Sequence, residues 1–570
     1  MKLRKTMIAY LAVAALGVSA LAGCSPDTPG ASDDPTTPAE DADEGDDDAA
    51  PAVGTEPLTI AKPDGAISTE NNNPFNGDSA AAKYGYHNIL FEKLGIVNFI
   101  GDNETTPWLA EDLVWNDDYT ELRVTPREGV TWSDGEEFTA EDIVFTFEMV
   151  SRPEMDTAAL QFEGAEMDGD DVVLSFGESK FVKQGSVLNI PIVPKHIWEN
   201  YEDPATDPVL EAIGTGPYVL TNFTSQSAPL EARDDYWGGE LAVPMLYFVS
   251  YNDNTALTTA LANGDADWAQ AFISNIEQAY LDHDPEHNNF WPAPVMAEAL
   301  LYFNHQAKPF NDVAFREAVA WTVDRDLYAE VAREGASEPV WSTTGLPDAA
   351  DQFILPEYAD ESYSVDIEKA RGILEDAGYT WDGDALIDPD GDPVSFFIEV
   401  PQGWNDFVTG ITLAADQIAE GLGADAQVRT PDVDTWWDAK TTGDFDAILH
   451  WTDTGTTPYD IYSNTMDERW LNEDGNADYN FGRYQNAEAT EALDTYATAS
   501  SDEERDEALA TIQRIFVEEV PAVSMGTHGF LAQFNTRNYV GWPSEENPYA
   551  VGDPLQSSIV QILVNLEPAN

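Results

Sequence analysis

The 570-residue sequence predicts an α/β fold, because apolar strand-like runs alternate along the chain with segments of helical periodicity. The strand-like runs are residues 172–176, 245–251, 396–400 and 447–451. Sixteen tryptophans and a hydrophobic fraction of 43% can supply a large core. At this length we expect two or three domains.

Two helices can be justified residue by residue. The first is capped by Asp366 and ends before Gly378, and its apolar residues fall at i, i+3, i+4 and i+7 from Ala370. The second runs from about 407 to 422 and leads into a predicted strand at 426–429. This succession is typical of one lobe of a two-lobed binding protein, but it also occurs in α/β enzymes.

The first 23 residues resemble a secretory signal peptide. A basic start is followed by an apolar run at 7–20 that is too short to span a bilayer. Residues 21–24 (LAGC) resemble the lipobox of bacterial lipoproteins, in which the cysteine, here Cys24, becomes the acylated first residue. The resemblance implies an extracytoplasmic protein, lipid-anchored through Cys24 to the outer face of the cell membrane.

The charge of the chain limits its partners. Residues 25–54 hold ten acidic residues, five prolines and no basic or aromatic residue, so 24–54 is predicted to be a disordered acidic tether. The whole chain has a net charge of -80, which argues against nucleic acid as a partner. Cys24 is the only cysteine, so no intramolecular disulfide can form.

Several short motifs occur in an order that carries a family resemblance. They are PWLAED at 107–112, LRVTPREGVTWSDGEEFTAEDIV at 122–144, GTGPY at 214–218, DYW at 235–237, ALANGDAD at 260–267, PFNDV at 309–313 and FGRYQN at 481–486. Together they resemble the family 5 extracellular solute-binding proteins of bacterial ABC importers, which include receptors for peptides, nickel and cello-oligosaccharides. The resemblance covers nearly all of the chain after residue 54.

The family fold implies a bilobed, periplasmic-binding-protein-like type II architecture with an extra inserted subdomain. Lobe I is expected at 55–95, 214–303 and 524–570, the inserted subdomain at 96–213, and lobe II at 304–523. A ligand would lie between the lobes, and hinge closure around it would create the surface that the permease reads. The receptor is expected to act as a monomer.

The sequence shows no catalytic signature. G-x-S-x-G, H-E-x-x-H and P-loop motifs are absent. His283 and His287 have the spacing of metal ligands, but Pro285 between them disfavours a helix. Residues 388–399 follow a calcium-loop pattern except for Pro393 at the sixth position, where the turn needs glycine. We predict no enzyme, metal or cofactor. The alternative from another class is a secreted glycoside hydrolase, which would need two carboxylates facing each other across the cleft.

Segment 449–459 bears on the ligand. In peptide binders of the family, a tryptophan here is followed three positions later by an aspartate that pairs with the peptide's α-ammonium, and then by a proline. Trp451 and Pro458 keep this spacing, but Thr454 stands where the aspartate would be. A threonine cannot replace the charge-assisted contact. Asp453 could do so only if the loop shifted by one residue.

Other features favour a sugar. Residues 400–406 (VPQGWND) and 73–75 (NPF) resemble the oligosaccharide-binding branch. A flat indole packs against the C–H face of a sugar while hydroxyl groups bond to polar side chains. The predicted ligand-binding residues are Asn73, Trp404, Asn405, Trp437, Trp451, Asp453, Thr454 and Tyr459.

The sequence therefore predicts a lipid-anchored receptor that captures an oligosaccharide, such as a β-linked, cellobiose-like one, and delivers it to the transmembrane subunits of an ABC permease. A receptor for oligopeptides or dipeptides is the alternative within the same class.

Overall fold

The computed structural model describes residues 54–63, 65–100, 104–155 and 160–569. The predicted signal peptide, Cys24 and the predicted tether up to residue 53 lie outside the described residues.

Strands and helices alternate through the described chain, which confirms the predicted α/β class. The strands are β1 (Leu58–Lys62), β2 (Gly95–Val97), β3 (Thr105–Pro107), β4 (Ala110–Trp115), β5 (Glu121–Pro126), β6 (Phe162–Asp168), β7 (Asp171–Phe176), β8 (Tyr218–Leu220), β9 (Ser227–Ala232), β10 (Met245–Ser250), β11 (Trp268–Ala269), β12 (Asn288–Ala293), β13 (Glu298–Phe303), β14 (Thr380–Asp382), β15 (Ala385–Ile387), β16 (Ser395–Glu399), β17 (Asp425–Arg429), β18 (Ala447–Trp451), β19 (Ala522–Thr527), β20 (Phe530–Asn535), β21 (Tyr539–Val540) and β22 (Glu567–Pro568).

The helices are α1 (Ala80–Tyr84), α2 (His87–Leu90), α3 (Ala140–Val150), α4 (Gln184–Leu188), α5 (Lys195–Trp198), α6 (Asn254–Asn263), α7 (Ile276–Ala279), α8 (Val313–Ala320), α9 (Arg325–Leu327), α10 (Ile367–Asp376), α11 (Asn405–Leu422), α12 (Val433–Thr442), α13 (Tyr459–Met466), α14 (Ala487–Thr498), α15 (Asp502–Glu519) and α16 (Ile559–Asn565). A π-helical turn, Tyr328–Ala332, follows α9.

Two large sheets organise the molecule. The first has seven strands in the order β12-β20-β11-β1-β10-β9-β8, and we call it and its helices lobe I. The second has five strands in the order β17-β16-β18-β13-β19, and we call it and its helices lobe II. In the first sheet, β1 is parallel to its neighbours β10 and β11. In the second sheet, β13 is antiparallel to its neighbours β18 and β19.

The chain changes sheets at two places that differ from the predicted boundaries at 304 and 524. Strand β13 already pairs with β18 of lobe II, so the first crossing lies between Ala293 and Glu298. Strand β19 still belongs to lobe II and β20 to lobe I, so the return lies between Thr527 and Phe530. Motif matching could not locate these crossings, because strand pairing decides them.

An antiparallel four-stranded sheet, β4-β5-β7-β6, lies within the predicted inserted subdomain. Its apolar side chains, such as Leu122 and Leu174, join one continuous core with Leu246 and Phe248 of lobe I. Lobe II has a separate core around α11, and a third cluster packs between α13, α14 and α15. The subdomain is therefore fused to lobe I by packing, while lobe II has its own interior.

The GTGPY motif is explained by close backbone packing. A Cβ atom on Gly214 would lie 1.8 Å from the carbonyl oxygen of Leu90, and one on Gly216 would lie 1.7 Å from that of Ile89. Only glycine permits this approach. The motif thus fixes β8 against α2 and has a structural role.

The DYW motif is structural as well. Glu92, which is buried, accepts hydrogen bonds from Tyr236 Oη at 2.7 Å, Trp237 Nε1 at 2.9 Å and Trp108 Nε1 at 2.7 Å. Three donors on one carboxylate offset the cost of burying it.

Among the described helices, none is long and apolar enough to cross a membrane.

Candidate ligand-binding cleft

A cavity of about 630 Å³ lies between lobe I and lobe II. Lobe I contributes α6, the segment after β11 and Leu531 of β20, and lobe II contributes the start of α11, Trp451 of β18 and Arg333. His528 and Gly529, in the return crossing, close one side. The lining residues are Asn254, Thr255, Thr258, Thr259, Gln270, Phe272, Ile273, Ser274, Arg333, Gly403, Trp404, Asn405, Asp406, Phe407, Trp451, His528, Gly529 and Leu531.

The lobe II wall is a cluster of aromatic rings. Trp404 lies 5.6 Å from Trp451 between ring centroids, and Phe407 lies 6.0 Å from each of them. His528 stacks on Trp451 at 5.1 Å with an interplanar angle of 8°. Its protein surroundings lower the pKa of His528 to about 3 by desolvation, so the imidazole is neutral at physiological pH.

A second layer supports this wall. His450 is buried, stacks on Trp451 at 4.3 Å and accepts or donates at both ring nitrogens. Its Nδ1 lies 2.6 Å from the carbonyl oxygen of Trp451, which can only accept, so Nδ1 carries the proton. Its Nε2 is then an acceptor for Lys440 Nζ at 3.3 Å. Burial lowers the pKa of Lys440 to about 8.

The described lobe I wall is uncharged and combines the polar side chains of α6, Gln270 and Ser274 with Phe272, Ile273 and Leu531. Helix α6 is capped by Asp253, which accepts from the backbone N–H of Ala256. Its threonines bend their hydroxyl protons back to the helix: Thr258 Oγ1 donates to Asn254 O, and Thr259 Oγ1 donates to Thr255 O. These oxygens keep lone pairs that can accept hydrogen bonds from a ligand.

The structure brings only part of the predicted ligand set together. Trp404, Asn405 and Trp451 line the cleft. Thr454 instead borders a smaller cavity of about 220 Å³ between the inserted subdomain and lobe II. Asp453, one residue earlier, accepts a hydrogen bond from Tyr479 Oη at 2.6 Å and is not part of the cleft lining.

Three other predicted residues have structural surroundings. Asn73 is fully buried, and its amide donates to the carbonyl oxygens of Pro204 and Asp207. Tyr459 is buried and stacks on Tyr496. Trp437 is 40% exposed and lies outside the cleft lining, while Trp436 is its buried neighbour. We therefore remove these three residues from the candidate site. The helix that carries both tryptophans is capped by Asp432.

Several lining residues escaped the sequence reasoning. The threonines of α6, Phe272, Arg333 and His528 come from segments far apart in the sequence. The repeated threonines at 255, 258 and 259 give α6 a polar face that could have been noticed, but nothing in the sequence joins that face to Arg333.

The carboxylates of the calcium-loop pattern have another partner. Asp388 and Asp390 both form ion pairs with Lys308. Within the described residues, no group of three or more His, Cys, Asp or Glu side chains is arranged to hold a metal ion. The part of the cleft lining that the structure describes holds one carboxylate, Asp406, and no facing pair of the kind that a glycoside hydrolase would need.

Two mixed sheets, an inserted subdomain fused to one of them and a ligand-sized cavity between the lobes define a bilobed solute-binding receptor. Residues 104–496 match the family model described as bacterial extracellular solute-binding proteins, family 5 Middle. The chain belongs to this family, as the motifs predicted. It is the substrate-binding receptor of an ABC importer rather than an enzyme, and it works outside the cytoplasm.

The chain is also similar to individual proteins of known sequence or structure. The oligopeptide-binding protein AppA of Bacillus subtilis is 26% identical over 72% of this chain and 76% of its own length. Protein XP55 of Streptomyces lividans is 28% identical over 75% and 77%. A periplasmic oligopeptide-binding protein of Thermotoga maritima, solved with mannohexaose bound, has a TM-score of 0.73 and 25% identity over 90% of this chain and 98% of that one.

Proposed function

We propose that this receptor captures a neutral oligosaccharide in the cleft between its lobes. The observation that carries the proposal is the chemistry of the lining: aromatic rings form one wall, and the other carries uncharged amide and hydroxyl groups beside the apolar Phe272, Ile273 and Leu531. Among the lining residues that the structure describes, the two formally charged groups, Arg333 and Asp406, are paired with each other. Sugars need this combination, because their C–H faces pack on rings while their hydroxyl groups exchange hydrogen bonds.

A related structure supports this ligand class. The mannohexaose complex belongs to a family member that carries an oligopeptide-binding name, so within the family that name does not exclude a sugar. The cleft volume of about 630 Å³ is in the range of small-molecule sites. The oligosaccharide series that raises the melting temperature identifies the linkage and length of the sugar.

An oligopeptide is the second candidate, favoured by the printed names of relatives such as AppA. A peptide brings a free ammonium, which needs a carboxylate with spare acceptor capacity. Asp406 is paired with Arg333, and Asp453 lies outside the lining and bonds to Tyr479. The neutral sugar therefore fits the cleft better than a peptide with a charged terminus.

A thermal-shift screen of the full chain tests the proposal, because a ligand that binds only the folded state raises the melting temperature. Cello-, xylo- and manno-oligosaccharides are compared with di- to pentapeptides. We expect a concentration-dependent rise with one neutral sugar series. A rise with peptides alone, abolished when their amino terminus is acetylated, would refute the sugar and support the peptide.

We also propose that acylation of Cys24 anchors the receptor to the outer face of the cell membrane, where a monomer hands its ligand to the permease. The LAGC sequence after an apolar run supports this. Cys24→Ala should shift the protein from the membrane fraction to the medium or periplasm. Normal membrane retention of this variant would contradict the anchor.

A further inference from the structure

The cleft contains one ion pair, and both of its members face the ligand space. Arg333 Nη1 donates to Asp406 Oδ2, and both residues line the cavity. Among the described lining residues these are the only side chains with a formal charge at neutral pH, since His528 is neutral. A charged group on a ligand that reaches this part of the cleft would therefore meet both charges of the pair.

Arg333 is held in place from both lobes. Its side chain is 2% exposed, and its guanidinium carbon lies 5.3 Å from the ring centroid of Phe272 and 5.7 Å from that of Phe407. Phe272 belongs to lobe I and Phe407 to lobe II. The Nε of Arg333 is buried without a hydrogen-bond partner. The guanidinium thus has a fixed position, and only one of its five N–H groups is used by Asp406.

Asp406 balances the positive charge of Arg333, so this part of the cleft has no net charge. It lies in the first turn of α11, and its side chain is 12% exposed. A ligand carboxylate placed near the pair would be attracted by Arg333 and repelled by Asp406, so the two effects largely cancel and the carboxylate still loses its hydration. A neutral hydroxyl group has no such cost and can accept a hydrogen bond from the arginine.

We propose that the Arg333–Asp406 pair makes the cleft selective for neutral oligosaccharides over uronate-containing ones, with Asp406 as the residue that rejects the anion. The inference rests on the proposed function and specifies it. Selectivity here comes from a repulsive charge placed beside an attractive one. Without Asp406, the positive charge of the buried Arg333 would have no neighbouring carboxylate in the pair to balance it, and it would attract an anionic ligand.

The test removes the repulsive charge and keeps the shape. In Asp406→Asn the amide oxygen can still accept from Arg333, but the pair has a net positive charge. At about 5 Å and an effective dielectric constant of about 20, one unit charge changes affinity on the order of 100-fold. We expect the ratio of the affinity for oligouronates to that for the matched neutral oligosaccharides to rise at least about tenfold.

Asp453→Asn is the matched control, because it removes the same charge from an acidic residue outside the cleft lining. Binding of a neutral oligosaccharide series and the uronate series of the same linkage and length is measured by calorimetry with the wild-type full chain and both variants, at one ionic strength. Asp406→Ser provides a second uncharged substitution if the asparagine variant does not fold.

The possible outcomes distinguish a failure of this inference from a failure of the proposed function. A rise in the uronate-to-neutral affinity ratio in Asp406→Asn or Asp406→Ser, but not in Asp453→Asn, supports the inference. An unchanged ratio, or an equal rise in Asp453→Asn, overturns it while neutral binding still supports the proposed function. If the wild-type chain binds no neutral oligosaccharide, the proposed function and this inference both fail.

Discussion

Trp404 provides the sharpest test of the sugar site. It begins the loop-to-helix transition into α11, and its indole ring lines the cleft. Its ring contacts with Phe407, Trp436 and Trp451 have interplanar angles of 79°, 69° and 41°, so none is a parallel stack. Trp451, in contrast, stacks nearly parallel with His450 and His528. Trp404 therefore has the ring face that is more available to a sugar.

The expected loss follows from the area of that face. An aromatic side chain buries roughly 150–250 Å² in total, so one indole face covers about 80 Å². At about 25 cal/mol per Å² this contributes about 2 kcal/mol to binding. Trp404→Ala should therefore raise the Kd of the bound oligosaccharide about 30-fold. Trp404→Phe, which keeps a smaller flat ring, should recover part of the affinity.

Isothermal titration calorimetry with the sugar that shifts the melting temperature measures this change. Trp437→Ala is the matched control, since Trp437 is 40% exposed and lies outside the cleft lining. It should alter the Kd less than about twofold. An unchanged Kd in a folded Trp404→Ala variant, or an equal loss in Trp437→Ala, would refute the placement of the site.

Three further predictions concern buried groups. Lys440→Met removes the hydrogen-bond donor to His450 Nε2, and this imidazole stacks on Trp451. Sugar binding should weaken roughly twofold to tenfold. ¹⁵N NMR should show that Nε2 has lost its hydrogen bond while Nδ1, which donates to the carbonyl oxygen of Trp451, keeps its proton. Burial raises the pKa of Glu298 to about 8, so the contribution of this group to stability is fully present below the unfolded pKa of 4.5 and is lost as the pH rises towards 8. Glu298→Gln should remove this dependence. In denaturant titrations, the difference between the unfolding free energies of the variant and the wild type should grow by up to about 4 kcal/mol from pH 5 to pH 8. The prediction is contradicted if the two unfolding free energies change in parallel over this pH range. Lys183 Nζ, in the inserted subdomain, forms an ion pair with the buried Asp460 of lobe II at 2.9 Å. Lys183→Met should lower the free energy of unfolding by about 1–3 kcal/mol, because it leaves the Asp460 carboxylate buried without this partner. Adding Asp460→Asn should restore part of that loss.

Local patterns predicted the elements that depend on local chemistry. Asp366 caps α10 and accepts from the backbone N–H of Lys369, and Gly378 follows in the left-handed region at φ 91°. Helix α11 begins at Asn405 and ends at Leu422, within two residues of the predicted start. Strands β16 and β18 also lie where apolar runs indicated. Caps, periodicity and glycine stops are properties of a few adjacent residues, so the sequence can reveal them.

The cleft depended on contacts that no short pattern encodes. Trp404 and Trp451 were predicted because each lies in a short segment, 400–406 and 449–459, that resembles a ligand-binding segment of the family. Arg333 and Phe272 are 61 positions apart and meet only because lobes I and II face each other there. Tyr459 lies in the same segment as Trp451, yet it packs in the helical cluster formed by α13, α14 and α15. Tertiary packing decides which side of a segment meets the ligand.

The large negative charge of the chain and the balanced charge of its cleft have different consequences for binding. A net charge of -80 attracts cationic solutes over long distances, but physiological salt screens this field beyond about 8 Å. Within that distance, a ligand meets the Arg333–Asp406 pair and neutral groups. A cationic peptide would therefore gain from the distant field and lose that gain as salt rises. A neutral sugar held by ring faces and hydrogen bonds would bind equally at low and high salt, so the salt dependence of Kd distinguishes the two ligand classes.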